Sequence, residues 1–138
     1  MAVQNYSAKL VGNMAFEMDN AGHKVITDVS EDVGGQDLGP RPKALLLSAL
    51  VGCSGIDIMT ILKKMKEDVV EVNVDIEVDQ TEEDPKVYKY IKLLYRFKGN
   101  NLKLSNLEKA VKLSKDKYCG VAAMLEKAVP ISYEIIIE

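Results

Sequence analysis

The chain has 138 residues, of which 47% are hydrophobic and 28% charged, and its formal net charge is −3. These values predict one soluble globular domain over residues 1–138, and the negative charge gives no general support for a nucleic-acid partner. The longest apolar run is about half of the roughly 20 residues that cross a bilayer, and the N-terminus lacks a signal pattern, so no membrane partner and a cytoplasmic location are expected.

The first 27 residues predict an antiparallel meander of three short strands. Apolar and polar residues alternate over residues 6–10 and again over residues 14–18, and residues 24–27 form the third strand. Glycine- and asparagine-containing turn signals separate these segments. A loop over residues 28–40 then shows no apolar periodicity, and because it is longer than most connections it hints at a functional role.

One long helix is predicted over residues 43–66, with Pro42 in its first turn and a break near Gly52 or Gly55. Its first half is apolar on every side, which is typical of a helix that is buried all round. The residues that share a face with Cys53 are Leu46, Ala49, Leu50, Ile56 and Thr60. The thiol is therefore expected to face packed side chains or a narrow apolar pocket. A monomer of this size has little surface to wrap such a helix, so a homodimer is predicted.

Two long strands follow the helix. Residues 70–79 alternate strictly between apolar and polar side chains, which predicts a strand with one buried and one acidic face. After a turn at residues 81–85, residues 86–98 form the partner strand. Its basic residues that can face the acidic side are Lys86, Lys89, Lys92 and Arg96. Such pairs contribute well under ~1 kcal/mol each, so they set register more than stability.

The C-terminal part predicts two helices and a last strand. Ser105 and Glu108 have capping-box spacing, Gly120 suggests a helix break, and Pro130 ends a second helix that begins at Val121. Residues 131–138 alternate as a final strand. The element order indicates an α+β fold with antiparallel sheet.

The two cysteines, Cys53 and Cys119, are 66 residues apart, which excludes a local zinc knuckle or a C-x-x-C dithiol. A thiol is both a nucleophile and a redox centre, so if folding brings the two together, one can attack a substrate and the other resolve the product. In the cytosol a disulfide between them is expected to be transient. Cys119 is expected near a helix N-terminus, where the helix dipole lowers a thiol pKa.

Other side chains give weaker signals. His23 is the only histidine and is predicted to be a surface residue. No His, Cys and carboxylate cluster has metal-ligand spacing, so no metal and no cofactor are expected. Asp57 lies one turn after Cys53, where two interpretations stay open: contact with the thiol or a partner cation, and an ordinary polar helix residue.

Two motifs resemble the OsmC/Ohr family. Residues 39–53, GPRPKALLLSALVGC, are similar to that family's G-P-x-P-x-E-L-L-L-x-A-L-x-G-C, and residues 117–125, KYCGVAAML, are similar to K-Y-C-x-V-x-x-x-L. The order and separation of the motifs also agree, and the pattern is closest to the OsmC-like branch. The resemblance implies an OsmC-like fold in which antiparallel sheets surround a long buried central helix in an intertwined homodimer.

The resemblance also implies thiol-dependent reduction of organic hydroperoxides. Cys53 matches the peroxidatic cysteine, which would form a sulfenic acid, and Cys119 matches the resolving cysteine, which would form a Cys53–Cys119 disulfide. A small dithiol or a redox protein would then restore both thiols.

The chain departs from the family at the groups that activate the cysteine. The family Glu lies nine or ten residues before the cysteine, where this chain has Ala44 and Lys43, and the family Arg comes from an early loop, whereas residues 1–40 contain no Arg. Arg41 and Lys43 are the candidates to stabilise a thiolate instead. The alternative is an OsmC-like protein without efficient peroxidase activity that binds an apolar small molecule at the dimer interface.

Overall fold

The computed structural model describes residues 2–138. The α-helices and β-strands of that part of the chain are β1 (Ala8–Leu10), β2 (Phe16–Asn20), β3 (His23–Thr27), α1 (Leu45–Lys64), β4 (Asp68–Gln80), β5 (Tyr88–Asn100), α2 (Leu104–Leu113), α3 (Gly120–Leu125) and β6 (Ile131–Ile137). These elements confirm the α+β prediction. They fall into two compact units, one through Ser48 and one over Ala49–Glu138. The single domain over residues 1–138 stays a prediction.

The first unit contains the predicted antiparallel meander, in the order β1-β2-β3. Ala21 and Gly22 join β2 to β3 with φ angles of 53° and 81°. Positive φ at both central residues is the geometry of a type I′ hairpin turn, whose twist suits the flanking strands. His23, directly after this turn, is exposed, as predicted.

A buried carboxylate organises the loop that follows β3. Asp28 is 1% exposed, and its oxygens accept hydrogen bonds from the backbone N–H groups of Val29 (2.8 Å), Gln36 (3.1 Å) and Leu38 (3.1 Å). These bonds, led by the one from Leu38, hold the pKa of Asp28 below its usual value although burial opposes them. Sequence reasoning did not single out Asp28, because one acidic residue in a polar loop shows no pattern.

Helix α1 is continuous through Gly52 and Gly55, so the suggested break is absent. Its fully buried residues recur every four positions: Leu50, Ser54, Ile58 and Leu62. The prediction that the helix is buried all round is wrong for the single chain, since Ile56 is 71% exposed and Met59 41%. A stripe at four-residue spacing is one helix face, and the other apolar faces have no covering within this chain.

From the sequence, no segment is expected to be long enough to cross a membrane, because the longest uninterrupted apolar run is short. The whole of α1, however, is long and apolar enough to cross one by length and composition alone. The core helix of a soluble protein passes the same test. The hydrogen bond between Ser54 on α1 and Tyr95 on β5 shows that α1 packs on a sheet in the second unit.

The second sheet has the order β4-β5-β6. The β4–β5 hairpin is antiparallel as predicted, but its core residues lie on β5: Ile91, Leu93, Tyr95 and Phe97. The apolar face predicted on β4 is only partly covered, and Val70, at a bulge in the register, is 71% exposed. The acidic face of β4 does meet basic residues, since Arg96 lies 2.9 Å from Asp75 and Lys89 lies 3.5 Å from Asp79.

Strand β6 differs from the antiparallel prediction because it pairs parallel with β5. Between the two strands the chain passes through α2, a π-helical turn (Ser114–Tyr118) and α3. A connection of that length carries the chain back to the start of the sheet, which is what a parallel neighbour requires. Lys92 then pairs with Glu134 of β6 at 3.0 Å instead of with an acid of β4.

The predicted capping box at Ser105 is also wrong. The N-cap of α2 is Lys103, which makes no side-chain capping bond. Glu67 supplies the acceptors instead: its carboxylate accepts from the Lys103 backbone N–H at 3.4 Å and from Asn106 Nδ2 at 2.8 Å. Because this cap comes from 36 residues earlier in the chain, local spacing does not reveal it.

Asp28→Asn should destabilise the protein, because the new NH₂ group would face backbone N–H donors that now bond to a carboxylate oxygen. A carboxylate with a lowered folded-state pKa stabilises the fold above its unfolded pKa of about 3.9, and this stabilisation is lost as the pH falls through the folded pKa. Urea midpoints of wild type and variant should therefore differ most near about pH 7 and converge below about pH 3. Asp19 is exposed, so Asp19→Asn is the matched control, and its urea midpoint should equal that of wild type both near neutral pH and at low pH. Equal midpoints for wild type and Asp28→Asn near neutral pH would contradict this role.

Candidate active site

Cys53 lies in the first half of α1, at the edge of the buried stripe. It is half-buried, whereas Leu50, one turn earlier, and Ser54, the next residue, are buried. The Ser54 hydroxyl lies 3.0 Å from the Tyr95 hydroxyl on β5, and burial raises the pKa of Tyr95, so that phenol stays protonated. This contact fixes the rotation of α1 over the sheet, and in that orientation Cys53 is half-buried.

Cys119 is held by backbone hydrogen bonds at the junction between the π-helical turn and α3. Its N–H donates to the Ser114 carbonyl oxygen at 2.8 Å, which closes the π-helical turn. Its sulfur accepts from the Ala122 N–H at 3.3 Å, so Cys119 is the N-cap of α3, as the sequence predicted. Single π-helical turns are rare and often occur at functional sites. Cys119 is 2% exposed, so this turn presents a buried thiol.

Ser114 links this turn to α1. Its hydroxyl lies 3.2 Å from Asp57 Oδ2 and 3.4 Å from the Ser54 carbonyl oxygen. Ser114 is itself 1% exposed, and a buried hydroxyl without a partner would cost about 1–3 kcal/mol. Because the buried Ser114 hydroxyl finds its hydrogen-bond partners on α1, it holds the π-helical turn against the helix that carries Cys53.

As a result, two sulfur atoms and a carboxylate meet. Cys53 Sγ, Cys119 Sγ and one oxygen of Asp57 all lie within 4.8 Å of one another. The fold thus brings together the two cysteines that the sequence singled out, and it places the Asp57 carboxylate near both thiols, with a hydrogen bond to Ser114. The sequence shows no ligand set at metal spacing, but the fold assembles one. We call Cys53, Asp57 and Cys119 the thiol–carboxylate cluster.

Burial dominates the electrostatics of Cys119. Desolvation raises the pKa of Cys119 to about 11, and the neighbouring Cys53 adds to the rise. Backbone N–H groups of Ala122 and Val121 act in the opposite direction but do not compensate. The predicted lowering of this pKa is therefore wrong, because a helix of six residues provides too small a dipole to offset the burial of a thiolate.

Arg41 and Lys43 lie just before α1, in the first unit. The Arg41 guanidinium donates to Asp37 at 2.7 Å and to the Gly39 carbonyl oxygen at 3.2 Å, and its charge also contributes to the low pKa of Asp28. Lys43 is half-buried in the turn that precedes the helix. Stabilisation of the Cys53 thiolate by either residue stays a prediction.

Comparison with known proteins identifies the family. The family model described as OsmC-like protein matches residues 34–134, well over half of the chain. The chain belongs to the OsmC-like family. Protein YhfA of Escherichia coli K12 is 39% identical to this OsmC-like protein over 131 residues, which cover 93% of this chain and 95% of YhfA.

Solved structures agree with this assignment. A hypothetical protein from Aquifex aeolicus superimposes with a TM-score of 0.83 at 30% identity and covers 100% of this chain and 99% of its own. A Legionella pneumophila protein described as an organic hydroperoxide resistance protein OsmC superimposes with a TM-score of 0.68 at 17% identity, with 99% of each chain covered. At that identity the Legionella structure shows a shared fold only. The OsmC-like fold predicted from the two motifs is confirmed.

Sequence reasoning missed the residues that position the cluster. Ser54, Tyr95 and Ser114 come from three different elements, and none of them stands in a recognisable motif. The only available signal was the four-residue spacing of Asp57 from Cys53, which places both on one face of a helix. A π-helical turn has no sequence signature, so the route by which Cys119 reaches α1 could not be read from the chain.

Iodoacetamide should label Cys53 before Cys119 in the folded, reduced protein. The thiolate is the reactive form, and with a pKa of about 11 roughly one Cys119 thiol in a thousand is ionised near pH 8. Peptide-resolved mass spectrometry over time should show Cys119 reacting at least about tenfold more slowly, with a rate that keeps rising above pH 9. In urea both cysteines should react at similar rates. Equal rates in the folded protein would contradict the burial of Cys119.

Proposed function

We propose that this OsmC-like protein is a cytoplasmic thiol peroxidase that reduces organic hydroperoxides. The observation that carries the proposal is the approach of the two sulfur atoms, within 4.8 Å, of cysteines that are 66 residues apart in the chain. A pair of thiols in contact is the minimal equipment for a peroxide-reducing disulfide cycle. The resemblance of the two cysteine motifs to the OsmC/Ohr family implies the same substrate class.

The exposure of the two thiols assigns their roles. Cys53 is half-buried and Cys119 fully buried, so a peroxide reaches Cys53 first. The Cys53 thiolate attacks the terminal oxygen of ROOH, the O–O bond breaks, and the alkoxide leaves and takes a proton to become the alcohol. The sulfur is oxidised by two electrons to a sulfenic acid, and the peroxide is reduced.

Cys119 then resolves the sulfenic acid. Its sulfur attacks the Cys53 sulfur, an S–S bond forms, and hydroxide leaves and takes up the proton that Cys119 loses, giving water. Because the pKa of Cys119 is about 11, this proton needs an acceptor at neutral pH. The Asp57 carboxylate lies within 4.8 Å of both sulfurs and can accept this proton from Cys119 and pass it to the departing hydroxide. A small dithiol or a redox protein then reduces the disulfide by exchange.

The surroundings of Cys53 favour an alkyl hydroperoxide over hydrogen peroxide. Ile56 lies three residues after Cys53, on the same side of α1, and is 71% exposed. An alkyl chain gains about 25 cal/mol for each Å² of apolar surface that it buries there, and hydrogen peroxide gains none.

The functional form in this proposal is a homodimer in which α1 of one copy covers α1 of the other. Ile56 and Met59 are large apolar side chains on the helix face that the single chain leaves exposed. Burying a side chain of this size contributes roughly 1.5–3 kcal/mol, so a symmetric pair of such faces supplies a substantial driving force for association.

Ile56→Glu should shift the protein from dimer to monomer, because a charge would replace a buried apolar contact at the centre of the interface. Light scattering after gel filtration at about 10 μM should report half the wild-type mass. Ser132→Glu adds the same charge at an exposed position of β6 and should leave the mass unchanged. A wild-type chain that runs as a monomer would refute the dimer.

The peroxidase proposal predicts different defects for the two cysteine variants. With cumene hydroperoxide and dithiothreitol, Cys53→Ser should reduce peroxide consumption to the uncatalysed rate, because no nucleophile remains. Without dithiothreitol, Cys119→Ser should still consume one equivalent of peroxide and leave a trappable sulfenic acid on Cys53, whereas wild type forms the intramolecular disulfide. Equal rates for wild type and Cys53→Ser would exclude the proposed function.

A second candidate function is binding of an apolar small molecule at the dimer interface without efficient peroxide reduction. What favours it is that the Arg41 guanidinium is engaged with Asp37 and the Gly39 carbonyl oxygen. Native mass spectrometry of the purified dimer should then show a retained apolar ligand. An empty dimer together with Cys53-dependent turnover would favour the peroxidase.

A further inference from the structure

We propose that the reduced thiol–carboxylate cluster binds one Zn²⁺ per chain, with Cys53, Asp57 and Cys119 as ligands. This goes beyond the proposed peroxidase reaction and does not depend on it, since metal binding requires the two thiols but no turnover. It is carried by the convergence of two sulfurs and a carboxylate oxygen within 4.8 Å of one another.

The distances suit a zinc ion after a small adjustment. With Zn–S bonds of about 2.3 Å, two sulfurs at a tetrahedral zinc are ~3.8 Å apart, and a sulfur and a carboxylate oxygen are slightly closer. The observed upper limit of 4.8 Å is thus about 1 Å from the coordinated geometry. Cys53 and Asp57 are on successive turns of α1, so side-chain rotation alone brings them together.

The donor set selects the type of metal. Two thiolates are soft ligands that prefer zinc and similar thiophilic ions over Mg²⁺ and Ca²⁺, which take oxygen ligands. Three protein ligands leave a fourth position for water, as in zinc sites that remain open to small molecules. On binding, Zn²⁺ replaces the two thiol protons, which pass to solvent, so no redox change accompanies the step.

The surroundings of the cluster resemble the outer shell of a metal site. The Ser114 hydroxyl lies 3.2 Å from Asp57 Oδ2, which orients the carboxylate and leaves its other oxygen for a metal. Cys119 is buried and its backbone is fixed by the π-helical turn, whereas Cys53 and Asp57 are half-buried. A metal can therefore enter along α1 and find one ligand already held in place.

Cobalt spectroscopy tests this directly. Co²⁺ added without oxygen to the fully reduced protein should give a thiolate-to-cobalt charge-transfer band that saturates at one equivalent per chain, and Zn²⁺ should abolish it. Cys53→Ser and Cys119→Ser should each weaken Zn²⁺ binding at least about 100-fold in competition with a chromophoric chelator, and Asp57→Asn at least about tenfold. Protein oxidised to the disulfide should not bind.

Matched variants separate this site from surface binding. His23→Gln removes the only histidine, and Asp79→Asn removes an exposed carboxylate on β4, so both should bind Zn²⁺ as wild type does. Asp57→Asn keeps both thiols, and its amide oxygen can still accept the Ser114 hydrogen bond, so this variant removes the charged ligand without removing the contact between the two elements. Absence of a charge-transfer band, or unchanged Zn²⁺ affinity in Cys53→Ser and Asp57→Asn, would overturn the proposal.

A second readout does not depend on spectroscopy or activity. One equivalent of Zn²⁺ should slow iodoacetamide labelling of Cys53 at least about tenfold, since a metal-bound thiolate is a weaker nucleophile, and a chelator should restore the rate. Unprotected labelling at saturating Zn²⁺ would refute coordination by Cys53. Protection in a chain without peroxidase activity would uphold the zinc site and reject the proposed function.

Discussion

The hydrogen bond between Ser114 and Asp57 is the contact on which the arrangement of the two cysteines depends. It joins a π-helical turn that ends at Cys119 to the helix that carries Cys53, at a hydroxyl–carboxylate distance of 3.2 Å. Ser114 is buried, so separating the two elements would leave its hydroxyl without a partner in an apolar environment. The Ser114–Asp57 hydrogen bond thereby keeps the two sulfurs close together, and breaking it is costly because Ser114 is buried.

β5 contributes more buried apolar side chains to the core that supports this contact than any other single helix or strand of the described residues. Full burial of a side chain such as Phe97 contributes roughly 1.5–3 kcal/mol, whereas an exposed ion pair such as Lys89–Asp79 contributes at most about 1 kcal/mol. The charge pairs between β4 and β5 therefore specify which residues of the two strands lie opposite each other, whereas the buried face of β5 contributes most of the stability of the sheet. The rings of Tyr95 and Phe97 are stacked, with their centroids 6.3 Å apart. The Tyr95 ring therefore packs in the core while its hydroxyl group lies within hydrogen-bond distance of the Ser54 hydroxyl.

The two thiols have different environments, because Cys53 is half-buried and Cys119 is buried. Cys119 occupies a helix N-cap, which taken alone would favour its thiolate, but burial outweighs the backbone N–H groups and its proton is held tightly. Cys53 is the more accessible sulfur. The Asp57 carboxylate lies within 4.8 Å of both sulfurs, and we propose for it the roles of proton acceptor during disulfide formation and of ligand to a metal. Both roles require the sulfurs to stay reduced at rest.

The sequence by itself determined the elements whose evidence is local: the β2–β3 hairpin, the long α1, the β4–β5 hairpin and Cys119 at a helix start. Alternation, helical spacing and turn residues act over a few neighbours, and the two cysteine motifs were enough to identify the OsmC-like fold. Only the tertiary structure decided the parallel pairing of β6, the capping of α2 by Glu67, the buried Asp28 and the one-sided burial of α1. It also decided that Cys53, Asp57 and Cys119 meet. These features depend on groups that are distant in the chain. Desolvation and hydrogen bonding act between groups that are close in space, so they could be assigned only once the fold was known.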